Sequence, residues 1–301
     1  MIILGYDVWL ANSRANTYSM RHETLKLTDP KFWDFSFHEK GYYDLPACID
    51  HILNVTGKTK LTFIGYSQGT TEAMVLTSTK PEYNDKINVM IFLSPVGYVK
   101  NVRSPVVHLV RQHQEIFDYL RQLQIYGMPW NRWLSKLTEI TCNDVSPLQN
   151  ICISILQLIF GFDIPQMDRS LLTVLLSTTP AGFSFKELIH FGQEISSGQF
   201  QQFDYGEKNM EIYGAPVAPA YDVSKITCPV VAYYGMNDFL ASVEDVEKLL
   251  DEFPGRPERK RIPYELFNHI DFVFAKDAKV LVYDSVIDVC NKYNTFFNFL
   301  Q

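Results

Sequence analysis

Residues 65–69 read Gly-Tyr-Ser-Gln-Gly, with Ser67 between glycines two positions to either side. Leu61, Phe63 and Ile64 before the serine suit a buried strand, and Glu72, Ala73, Met74, Val75 and Leu76 after it suit a helix. A strand-to-helix turn this sharp is expected to need small residues at 65 and 69, where a Cβ would collide with strand or helix. Such a turn lifts the Ser67 hydroxyl clear of a sheet and sets it at a helix N-terminus. It also aims the Gln68 backbone N–H at any oxyanion forming beside it. The bare pentapeptide also fits a glycine turn with a capping serine; the flanking strand and helix favour an activated nucleophile.

A nucleophilic serine needs a base, and the base needs an acid. In strand-turn-helix hydrolases these follow the serine as Asp or Glu, then His. "AYYGMNDFLAS" puts Asp238 just past an apolar strand, and "YELFNHIDFVFA" puts His269 just past the next one. Both fall at carboxyl ends of strands, the same edge as Ser67. Each also has a plainer reading: Asp238 as an Asx-turn former, His269 as a loop residue bonded to backbone. Other histidines compete poorly, since His22, His38 and His51 precede the serine and His108, His113 and His190 fall in a different region.

The elements that must position these residues alternate. Strands are predicted at residues 6–13, 60–65, 87–95, 228–235 and 259–267, and helices at 43–57, after Ser67, at 242–253 and at 277–293. This pattern predicts an α/β fold, a mostly parallel sheet with helices on both faces. Between residues 98 and 222 the pattern turns to helices and loops with no convincing strand. Residues 1–98 and 223–301 are therefore expected to form the core, and 99–222 a helical cap or lid inserted over the carboxyl edge of the sheet, where open α/β folds place their sites. Trp130, Trp133, Phe160 and Phe162 suit the packing of that cap, or the wall of an apolar pocket.

Of the 301 residues, 47% are apolar and 20% charged, as in an ordinary globular chain with a sizeable core. A net charge of −7, with no run of Lys or Arg, argues against nucleic acid as a partner. The first residues lack the basic and apolar regions of a signal peptide, and the apolar run 151–162 is too short to span a bilayer. The five cysteines show no C-x-x-C pair, so neither a metal nor a redox cofactor is expected. Cys142 and Cys152 fit either a small disulfide in an oxidising compartment or two reduced, partly buried thiols. Asn54-Val55-Thr56 is a glycosylation sequon.

Five stretches, "GYDVWLANSRANTYS", "FWDFSFHEKGYYDLPACIDHI", "GYSQGTT", "GMNDFLASVEDV" and "FNHIDFVFAKDA", together resemble the acid lipase family that includes gastric and lysosomal acid lipases and insect relatives. The resemblance runs over nearly the whole chain. It implies an α/β-hydrolase fold with a helical cap and lid, and a carboxylic ester hydrolase acting on triacylglycerols or sterol esters at a lipid–water interface. It further implies a secreted or lysosomal setting, no cofactor and no obligate protein partner. Matched residue by residue, it makes Ser67 the nucleophile, Asp238 the acid and His269 the base, and pairs Cys142 with Cys152 as the family's cap disulfide.

Two departures stand out. Ala11 and Ala15 replace glycines usual in the family, and no His-Gly pair occurs in the chain. Family members have a His-Gly loop ahead of the "GYDVW" strand that supplies a second oxyanion N–H. The first strands and that donor are therefore expected to be missing upstream, leaving Gln68 as the single donor, with a loss of about 100- to 1000-fold in turnover. The alternative to a working lipase is a catalytically impaired, lipase-like lipid-binding protein; hydrolysis of small soluble esters is a third reading.

Overall fold

The computed structural model describes the backbone of residues 1–129 and 132–298, with side chains throughout except at 132–135 and 295–298. Trp130 and the side chain of Trp133 lie outside the described residues. Among them the strands are β1 (Leu61–Tyr66), β2 (Ile87–Leu93), β3 (Gly127–Pro129), β4 (Gly182–Ser184), β5 (Val230–Tyr234) and β6 (Glu258–Arg261). β1, β2, β5 and β6 form one parallel sheet in that order, and β3 pairs with β4 antiparallel.

The two central strands explain the layers. Strand side chains alternate between faces, and in β2 and β5 both faces are apolar. Met90, Phe92, Ala232 and Tyr234 pack to one side with Ile49, Met74, Leu76 and Leu249. These last come from the helices Leu45–Thr56, Gln68–Thr79 and Val243–Asp251. Val89, Ile91, Leu93, Val231 and Tyr233 pack to the other side with Phe267, Val282, Val286 and Val289, the last two on the helix Asp284–Asn298. A sheet buried on both faces is the outcome expected of near-continuous apolar strands.

Three expectations are corrected. Residues 6–13 form no strand. A strand exists where a neighbouring strand answers its N–H and C=O groups, and among the described residues no strand pairs here. Val8, Trp9 and Leu10 are exposed, and the Trp9 ring meets the edge of His51. The strand expected at 259–267 ends at Arg261: Ile262 N–H still donates to Tyr234 O, but Pro263 has no N–H to continue the ladder. The region read as free of strands contains β3 and β4, three residues each, too short for alternation to reveal. Gly127 permits that pairing because a Cβ there would lie 2.3 Å from the Trp33 ring.

Between β2 and β5 the chain builds the helices Pro105–Gln112, Glu115–Gln122, Arg132–Thr141, Gln149–Phe160, Leu172–Thr178 and Phe185–Ser197. A disulfide joins Cys142 to Cys152, beside a small apolar cluster of Ile153, Leu156, Leu172, Leu175 and Ile270. Among the described residues no helix is long and apolar enough to cross a membrane.

Candidate active site

Ser67 stands between the end of β1 and the helix Gln68–Thr79 with φ 53° and ψ −124°. A non-glycine residue holds such backbone only where its surroundings over-determine it. Here Ser67 N–H donates to Leu93 O at 3.0 Å, and Ser67 O accepts from Thr70 N–H at 2.9 Å and from the Thr70 hydroxyl at 2.6 Å. The Thr71 hydroxyl reaches Val96 O at 2.6 Å, so the turn is stitched to the chain leaving β2. The need for small flanking residues holds at one position and fails at the other. A Cβ on Gly65 would lie 2.7 Å from the Phe63 ring and 3.1 Å from the Gly69 backbone, whereas one on Gly69 meets nothing within 4 Å outside its own helix.

The sheet brings the other two residues to the serine. His269 Nε2 lies 2.7 Å from Ser67 Oγ, and its Nδ1 lies 2.9 Å and 3.1 Å from the two carboxylate oxygens of Asp238. His269 and Asp238 are 2% and 1% exposed, while Ser67 is half-buried. Asp238 Oδ1 also accepts from the N–H groups of Leu240 and Ala241, each at 2.8 Å. The carboxylate that makes the Asx-turn is thus the same one that faces His269.

Ser94, just past β2, was not singled out from sequence. Its hydroxyl donates to Asp238 Oδ2 at 2.5 Å and lies 2.8 Å from His269 Nδ1. The residue is wholly buried with φ 55°. A serine followed by proline after a strand reads as a turn; only the positive φ, invisible in sequence, turns it toward Asp238.

A second feature missed by sequence is a strap at the end of the helix Gln149–Phe160. Phe160 O accepts from Phe239 N–H at 3.2 Å and from His269 N–H at 3.3 Å. Gly161 O accepts from the Asn268 amide and Phe162 O from the Asn237 amide, both at 2.9 Å. The Phe160 ring stacks on the imidazole of His269, 5.9 Å between centroids and 7° from parallel. Phe160 and Phe162 therefore do more than pack the inserted helices or line a pocket: they tie the Asp238 loop to the His269 loop. Gly161 has φ 117°, and a Cβ there would lie 2.1 Å from Asn237 O.

From the opposite side the Tyr66 hydroxyl donates to His269 O at 2.9 Å. Burial, then the Asp238 charge, raises its pKa well above the ordinary value and keeps it a donor. Two residues beyond His269, Asp271 accepts from Asn268 N–H at 2.7 Å and has the Asp163 carboxyl group as a neighbour. Burial, and then the neighbouring Asp163 charge, pushes Asp271 up to about 8.

The remaining sequence candidates are placed as follows. Gln68 is the first residue of its helix, so its backbone N–H has no acceptor within the helix. Asn54 is exposed near the end of the helix Leu45–Thr56. His190 is buried between Ser36 Oγ and Gln201 O, its pKa lowered by burial to about 3. Among the described residues no group of three His, Cys, Asp or Glu is arranged to hold a metal ion.

Comparison with known proteins agrees with this architecture. Residues 3–126 match the family model described as alpha/beta hydrolase fold. Lipase 3 of Drosophila melanogaster is 38% identical over 96% of this chain and 74% of its own length. The gastric triacylglycerol lipase of Homo sapiens is 36% identical over 96% of this chain and 72% of its own. Among solved structures, a putative lipase from Sulfolobus solfataricus superposes with a TM-score of 0.56 at 14% identity, covering 92% of this chain and 71% of that one. A soluble variant of monoglyceride lipase from Saccharomyces cerevisiae gives 0.51 at 14% identity, covering 94% and 76%. At that identity the structures speak for the fold, and the sequence relatives for the family. A parallel sheet ending in a serine turn, and relatives of this closeness over nearly the full chain, make it a member of the lipase family of α/β-hydrolases, a carboxylic ester hydrolase.

Proposed function

We propose that the chain hydrolyses esters of neutral lipids, triacylglycerols or sterol esters, through a Ser67-His269-Asp238 triad and an acyl-enzyme. The observation that carries this reading is the imidazole of His269 held between Ser67 Oγ at 2.7 Å and Asp238 Oδ2 at 2.9 Å. With its proton on Nδ1 directed at Asp238, the ring offers the Nε2 lone pair to the Ser67 hydroxyl. Ser67 Oγ attacks the ester carbonyl as His269 takes its proton, and the Gln68 N–H faces the oxyanion. His269 then protonates the departing alcohol. Water, deprotonated by the same nitrogen, releases the fatty acid and restores Ser67.

Residues 99–222 are read here as a cap over this site, and residues 1–98 and 223–301 as the core. Exposed apolar side chains on the inserted helices, among them Leu109, Ile116, Ile140, Ile151 and Ile155, support a lipid–water interface as the place of action. The name of the gastric relative, a triacylglycerol lipase, supports the substrate class.

The test is labelling by a fluorophosphonate together with hydrolysis of emulsified triacylglycerol and of soluble p-nitrophenyl butyrate. Wild type is expected to label and to turn over both esters, and Ser67→Ala to do neither. Labelling that survives in Ser67→Ala removes the serine from its role. Turnover of the soluble ester alone removes neutral lipid as the substrate.

A further inference from the structure

Next to the nucleophile turn, and apart from the triad, lies a buried ionic cluster. The Gln68 side-chain amide donates to Glu72 Oε1 at 3.0 Å and to Glu187 Oε1 at 2.6 Å. Two carboxylate neighbours leave its NH2 end no other orientation. Lys40 Nζ reaches the same Glu187 oxygen at 2.6 Å, and the Ser13 hydroxyl reaches Glu72 Oε2 at 2.9 Å. Glu187, Lys40 and Glu72 are 2%, 6% and 8% exposed. The second oxygen of Glu187 is buried with no partner among the described residues.

Three buried charges and an unanswered carboxylate oxygen are costly, and apolar residues of similar volume would hold the fold at least as well. What the cluster does achieve is specificity of position. Both N–H groups of the Gln68 amide are fixed, and Gln68 is bonded directly to Ser67, whose φ of 53° needs such constraint to persist. The clamp is also not local. Glu72 lies one helical turn along from Gln68, Lys40 belongs to the turn Lys40–Asp44, and Glu187 sits on the helix Phe185–Ser197 of the inserted segment.

We propose that Glu187, itself fixed by Lys40, is a positioning residue that holds the Gln68 backbone N–H toward the oxyanion, so that the inserted segment helps to set the turn it covers. The proposal rests on the functional reading above. Loss of the clamp lets the turn relax and misaims the donor. Since that donor acts mainly on the transition state, the effect falls on kcat and spares KM.

The experiment uses p-nitrophenyl butyrate with wild type, Ser67→Ala, Glu187→Ala, Glu187→Gln, Gln68→Met and the Glu187→Ala/Gln68→Met pair. Unfolding midpoints are measured for each. Glu187→Ala is expected to lower kcat about 10- to 100-fold with KM changed by less than about twofold. Glu187→Gln keeps an acceptor for the Gln68 amide and restores most of the loss. Gln68→Met keeps the backbone donor but drops the anchor and matches Glu187→Ala, and the double variant is no worse than either single one. An active wild type with unchanged kcat in Glu187→Ala overturns the inference alone, as do effects of the two single changes that multiply. Should Glu187→Ala not fold, an unchanged kcat in Gln68→Met overturns it equally. A wild type that neither turns over ester nor takes up fluorophosphonate overturns the functional reading, and this inference with it.

Discussion

Val89, Met90, Ile91 and Phe92 of β2, and Val231 and Ala232 of β5, are wholly closed to solvent, whereas on the inserted helices Ile140 is 69% exposed, Leu109 57% and Ile151 56%. On the proposed reading, one wall of the site is thus built like the middle of a large domain and the other like a surface awaiting a partner. Catalytic geometry tolerates little displacement, which suits the sheet side; if the substrate is the neutral lipid proposed above, its admission calls for a wall that gives, which suits the inserted side. The division is not clean, because the strap at 160–162 ties part of the inserted segment to the Asp238 and His269 loops.

The sharpest test of the sheet side is Asp238→Asn. It should leave the unfolding midpoint near wild type and cut kcat about 10⁴-fold, because the imidazole tautomer is no longer imposed. A mild loss, with a severe one at another carboxylate, would reassign the acid.

Next comes the strap. If it belongs to the catalytic side, Gly161→Ala should lower kcat on a small soluble ester about 100-fold, the usual scale for misplacement by an ångström. An effect confined to KM or to emulsified substrate would return the strap to the wall that governs access. Reducing the Cys142–Cys152 bridge addresses the inserted side proper. It should loosen those helices by about 2–4 kcal/mol, visible as faster hydrogen exchange there, while kcat on the soluble ester stays within about twofold. An equal loss of protection in β2 and β5 would show the two walls to be one cooperative unit.

The last prediction concerns pH. Asp271 holds its proton in the folded chain up to about 8, while the unfolded chain releases it near the ordinary carboxylate value. The folded state therefore binds more protons between about pH 4 and pH 8, and stability falls as pH rises through that window, by at most about 1.4 kcal/mol per unit. Asp271→Asn should flatten that slope in urea titrations at pH 5, 6 and 7, and an unchanged slope would assign it to other groups.

How much of this was legible beforehand follows from what each residue depends on. The helices at Leu45–Thr56, Gln68–Thr79 and Val243–Asp251 and the central strands are written locally, in periodicity and in runs such as "VMIFL" and "VVAYY". Ser67, Asp238 and His269 could be singled out because each is a reactive type at the end of a strand. Ser94, Gly161 and the Lys40–Glu187 pair could not, because their parts depend on partners far away in sequence and on backbone angles that no residue type announces. Gly161 after an apolar helix reads as an ordinary helix-ending glycine. Residues 6–13 mislead for a related reason: alternation describes one strand, and a strand needs two.

The strap also bears on how parts of such enzymes can be exchanged. A chimaera that takes all of residues 99–222 from a relative also replaces Phe160, Gly161 and Phe162, whose carbonyls receive Asn237, Phe239, Asn268 and His269. The donor's version of that short run would have to fit loops from a different lineage. A graft whose junctions keep residues 160–162 with the recipient leaves the Asp238 and His269 loops tied as they are, and confines the exchange to the rest of the inserted segment.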